Sequence, residues 1–110
     1  MQIRKTYKEV NPDLLYAEIR DFVLKQGAEV AEAKLETYAL PNDSSSFISR
    51  GTLTFTVGGS KECLRAHIVG SVKSETKLML DIDEAVFPQD KVASLQEDLE
   101  FIFGSYEAKS

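Results

Sequence analysis

Residues 47–57 read Phe47-Ile48-Ser49-Arg50-Gly51-Thr52-Leu53-Thr54-Phe55-Thr56-Val57, and Gly58-Gly59-Ser60-Lys61 follows directly. Phe47, Leu53, Phe55 and Val57 share one parity, while Arg50, Thr52, Thr54 and Thr56 share the other. Alternation rich in Thr and Phe is the pattern of a strand buried on one face, as in an antiparallel sheet. The two glycines, free to take positive φ, make 58–61 a hairpin connection. Leu64, Ala66, Ile68 and Val72 then alternate with Arg65, His67 and Ser71, and Lys73-Ser74-Glu75 forms the next turn. Leu78, Leu80 and Ile82 alternate with Lys77, Asp81 and Asp83. Three strands in succession, joined by short turns, make an antiparallel meander.

On either side of this meander the apolar period lengthens. Asn11-Pro12 is a helix start, with an Asn side chain able to cap free N–H groups and Pro at the first helical position. Asp13 suits the positive end of the helix dipole. Leu15, Ile19, Phe22 and Val23 form one stripe, and Gly27 closes the segment. A second helix begins near Pro88, with Val92, Leu95, Leu99, Ile102 and Tyr106 as its apolar stripe, and ends near Gly104. Residues 28–40 read as a strand returning from the first helix, with Ala31, Ala33, Leu35 and Ala39 opposed to Glu32, Lys34 and Glu36. Their Ala/Glu/Lys content also suits a helix, but Gly27 before and Pro41-Asn42-Asp43-Ser44 after favour the strand. Residues 2–9, with Ile3, Lys5 and Tyr7 on one side, add an edge strand.

The 110 residues allow one domain, and 43 % apolar with 28 % charged residues is an ordinary globular composition. No apolar run approaches the length of a membrane span. The first residues, Met1 to Tyr7, lack the apolar core of a signal peptide, so a cytoplasmic location is expected. A lone cysteine, Cys63, rules out a disulfide framework and a cysteine-based zinc site. The formal net charge of −5 argues against nucleic acid as a partner.

The order β-α-β-β-β-β-α predicts an α+β two-layer sandwich, an antiparallel sheet with both helices packed on one face. In element order alone it resembles the domain of the TATA-box-binding protein, and also a shortened helix-grip domain of the START and birch-pollen-allergen type. The resemblance spans the chain but carries no motif residue, and fold does not imply function.

No catalytic constellation emerges. His67 is the sole histidine, and Cys63, four residues earlier on the same strand, lies about 13 Å away, too far for a thiolate–imidazole pair. It reads as a surface or edge histidine, and Cys63 as an apolar filler. Asp81 and Asp83, about 7 Å apart on one strand face, lack the third ligand and the glycine of a calcium loop. Gly58-Gly59-Ser60-Lys61 lacks the spacing of a phosphate loop. No cofactor or metal is expected.

The remaining feature is the sheet face opposite the helices. With Phe47, Leu53, Phe55, Leu64, Ile68, Leu78, Leu80 and Ile82 as core, the other parity leaves Tyr38, Ile48, Val69, Met79 and Phe87 exposed among Arg50, Arg65, His67, Asp81 and Asp83. Apolar side chains on an uncovered face mark a partner surface. The expected function is a non-enzymatic protein-interaction module that binds another protein, or itself, through Ile48, Arg50, Arg65, His67, Val69 and Met79. The alternative is a carrier of a small apolar ligand, with Gly51 and Gly70 marking the bends of a curved sheet.

Overall fold

A computed structural model describes the backbone of residues 1–41, 43–71 and 73–108, with side chains except those of residues 43–46. The elements are β1 (Gln2–Lys8), α1 (Pro12–Lys25), β2 (Glu29–Leu40), β3 (Asp43–Val57), β4 (Lys61–Gly70), β5 (Glu75–Ile82) and α2 (Gln89–Phe103), followed by a 3₁₀ turn, Gly104–Tyr106. This is the expected α+β order. All pairings are antiparallel and the strand order is β1-β5-β4-β3-β2, so the first strand joins the last and β1 and β2 are the edges.

Local chemistry sets the boundaries. Asn11 accepts a hydrogen bond from the Asp13 N–H at 2.9 Å, Pro12 opens α1, and Gly27 takes φ 95° just beyond its end. Gly58 and Gly59 both have positive φ, as a tight hairpin requires. Lys91, in the first turn of α2, donates to the Gln26 carbonyl at 2.7 Å, tying α2 to the carbonyl end of α1.

Register puts both helices on one side. Ile3, Leu80, Ala66 and Leu53 form one cross-strand row, and Lys5, Leu78, Ile68 and Gly51 form the next on the same face. Tyr16 of α1 lies on Gly51, where an added Cβ would sit 2.7 Å from its ring. Phe103 of α2 meets Tyr7, two residues beyond Lys5, with ring centroids 5.9 Å apart. Between them Leu15, Ile19, Val23, Leu53, Phe55, Ala66, Ile68, Leu80, Val92 and Leu95 are fully buried.

Gly51 and Gly70 are therefore sites of close approach. A side chain at Gly70 would meet the Thr76 backbone at 2.5 Å. Thr76 itself is buried and donates to the Val10 carbonyl at 2.7 Å, which satisfies its hydroxyl inside the core.

Several positions depart from the sequence reading. Phe47 has the parity of Phe55 but is 51 % exposed. The reason is length, since a 15-residue strand runs more than twice as far as a 14-residue helix. The helix layer covers Leu53 and Phe55, and the far end of the β2–β3 hairpin projects past it. In α2 the buried stripe runs Val92, Leu95, Leu99 and Phe103, a step of four from Leu99, so Ile102 falls beside it and is exposed, as is Tyr106 in the 3₁₀ turn beyond the α-helix. Tyr16 is buried in α1 where Phe22 is only partly so. Phe87 lies beyond β5 and turns into the core, 1 % exposed. Ala31 sits where the β2–β3 register shifts between Val30 and Glu32. Val72 lies outside the described residues.

Candidate functional site

The outer face of the sheet is assembled from rows of directly paired residues. Arg4, Met79, His67, Thr52 and Lys34 form one row across all five strands. Thr6, Lys77, Val69, Arg50 and Glu36 form the next. Gln2, Asp81, Arg65, Thr54 and Glu32 flank them on one side, while Ile48 pairs with Tyr38 on the other. Parity plus register thus brings Ile48, Arg50, Arg65, His67, Val69 and Met79 onto one surface. Ile48, His67, Val69 and Met79 are half-buried, and Arg50 and Arg65 are exposed.

Three shallow hollows run along this surface. One of about 610 Å³ is lined by Arg4, His67, Val69, Lys77 and Met79. A second of about 230 Å³ shares Val69 and Lys77 and reaches Ile48 and Glu75. A third of about 350 Å³ shares Ile48 and continues to Tyr38, Leu40 and Arg50. Shared walls join them into a diagonal trough with an apolar floor of Met79, Val69 and Ile48. Its largest hollow is bordered by cations on a chain whose net charge is −5. The helices are net acidic, with Asp13, Glu18, Asp21, Asp90, Glu97, Asp98 and Glu100 against Arg20, Lys25 and Lys91, while Glu32, Glu36 and Asp81 share the outer face with its cations and Glu75 lines the second hollow.

His67 lies on the outer surface of the sheet, on a central strand rather than an edge one. Its row holds no carboxylate, so no acid in register orients the imidazole as a general base would require. Asp81 lies in the neighbouring row and accepts from the Gln2 amide at 3.0 Å. Arg65 is held by Glu62 at 2.9 Å. Asp83 falls just past the end of β5, where its Oδ1 accepts from the Ala85 N–H at 3.1 Å. Among the described residues no three His, Cys, Asp or Glu side chains gather closely enough to hold a metal ion. Cys63 is buried, which pushes its thiol pKa up and away from reactivity.

Two features escaped the sequence. Arg4 and Lys77 border the trough because β1 pairs with β5, a contact between residues more than seventy positions apart that no local pattern announces. Two carboxyls also meet between the helices. Glu18 shares a hydrogen bond with Asp98, and this, with burial, raises the Glu18 pKa to about 7. Asp98 Oδ2 is buried without a hydrogen-bond partner.

Among the described residues no helix is long and apolar enough to cross a membrane. Comparison with protein-family models, with curated proteins and with solved structures finds no match to this chain.

Proposed function

We propose that this chain is a protein-interaction module whose outer sheet face receives a partner protein. The carrying observation is the trough itself, in which Met79, Val69 and Ile48 form an apolar floor beside Arg4, Lys77 and Arg50. Side chains of this kind at a surface favour burial against a partner. The chemistry it fits is a protein segment that inserts an apolar side chain and carries carboxylates around it, since complementary charge steers encounter.

The carrier reading receives less support. A helix-grip ligand would lodge between helix and sheet, where Leu53, Phe55, Ile68, Leu80, Leu95 and Leu99 pack on one another.

Val69→Asp and Ile48→Asp test the proposal. Both sites are half-buried on the solvent side, so folding is expected to survive while a partner held by the wild-type chain is lost. A partner retained by both variants would overturn the reading. Native mass spectrometry distinguishes the carrier, which would show an added mass of a few hundred daltons released on denaturation.

A further inference from the structure

We propose that β2 is a self-pairing edge, and that two copies of this chain join through antiparallel β2 strands about a two-fold axis at Leu35. The result is one continuous sheet, with both helix layers on the same side.

The open edge comes first. β2 is twelve residues long and lacks a second neighbour in the sheet, and every residue along it is exposed except Glu36 and Leu40, which are half-buried. Unpaired N–H and C=O groups along such an edge are a template for another strand. Proteins often blunt an edge by pointing charges from both faces. Here the helix-side face of β2 carries Ala33, Leu35, Thr37 and Ala39, with Phe47 exposed next to Ala39.

Charge then selects partner and register. A two-fold pair with the helices on one side must place residues of equal parity opposite each other. Centred on Leu35, the pairing sets each Lys34 against Glu36 of the second copy. Since Lys34 Nζ already lies 3.4 Å from Glu36 of its own chain, the result is a square of alternating charges. Glu32 meets Tyr38 of the second copy, and Leu35 meets its own counterpart on the other face. Centring on Lys34 instead opposes Lys34 to itself and Glu32 to Glu36, while centring on Glu36 opposes that carboxylate to itself. Like charges directly opposite are unfavourable. Centring on Ala33 pairs Lys34 with Glu32 but runs the strand into the register shift at Val30–Glu32. Only the Leu35 register combines opposite charges with regular strand from Glu32 to Tyr38.

Mass measured by light scattering across a concentration series is expected to show a species of twice the chain mass. Lys34→Glu should weaken it about tenfold or more, because two favourable cross-strand pairs become unfavourable. Adding Glu36→Lys restores complementary charge in the same register and should restore the dimer. Mild oxidation of Leu35→Cys should give a covalent dimer, whereas Ala33→Cys and Thr37→Cys should not, and the buried Cys63 stays out of the reaction. Circular dichroism of each variant checks folding. A monomer at every concentration, with no Leu35→Cys cross-link, would overturn the inference. So would a dimer that survives Lys34→Glu and is lost in Val69→Asp, an outcome that assigns association to the outer face.

Discussion

The two edges of the sheet are finished in opposite ways. β1 lies within the body of the protein, and Ile3 and Tyr7 point into the core. The segment after α2 also returns to it, with Glu107 bridging Tyr7 and the Ala108 N–H donating to the Thr6 carbonyl at 2.8 Å. Lys5 fastens that segment to Glu107 at 3.3 Å. Among the described residues β2 has no such cover, and its inward side chains Ala33, Leu35, Thr37 and Ala39 are exposed. One edge is closed by the chain itself; the other is left for something else to close.

Substitutions at matched positions should expose the contrast. Tyr7→Ala removes a fully buried aromatic from the closed edge and should cost about 3–5 kcal/mol, read from denaturant unfolding. Ala108→Pro deletes the donor to Thr6 without touching the core. It should cost about 1 kcal/mol and bare one end of β1. A larger loss would mean that the returning segment holds the fold as well as covering an edge. At the open side Phe47→Ala should change the stability of the monomer by no more than about 0.5 kcal/mol, although Phe47 lies on the same strand and parity as Phe55. A loss comparable to Tyr7→Ala would show that the hairpin end is packed in solution.

Ionisable groups show the same contrast. At the open edge Tyr38 and Lys34 hold the Glu36 pKa below the ordinary carboxylate range. Between the helices the bond to Asp98 and burial raise that of Glu18 to about 7. The folded chain therefore keeps a proton on Glu18 that the unfolded chain releases near the ordinary glutamate value. Its contribution is complete below that value and is lost as pH rises through about 7. The group is partly solvated, so the loss is on the order of 1 kcal/mol. Melting temperatures at pH 5 and pH 8 should differ for the wild type and converge in Glu18→Gln. An unchanged difference would assign it to other groups.

Much of this architecture was legible because it is written locally. Asn11-Pro12 and Gly27 bound α1, and Gly58-Gly59 fixes the β3–β4 hairpin. Alternation along β3, β4 and β5 assigns Ile48, Arg50, Arg65, His67, Val69 and Met79 to one face. What stayed hidden depends on distance between elements. Parity cannot distinguish Phe47 from Phe55, because the difference lies in where α1 stops above them. Nor can it place Arg4 beside Met79, or Glu18 beside Asp98, since each pair joins separate parts of the chain. Phe87 had no periodic partner to reveal that the turn after β5 folds inward.

The pairing of β1 with β5 also has a consequence for synthesis. Tyr7 meets Thr76 in register, so β1 leaves the ribosome long before the strand it will bind. At about 5–20 residues per second the wait is on the order of 3–14 s. During it α1 and the β2–β3–β4 meander can form from near neighbours, while β1 must close a far longer loop. Ile3 and Tyr7 therefore spend that interval without the β5 residues they pair with.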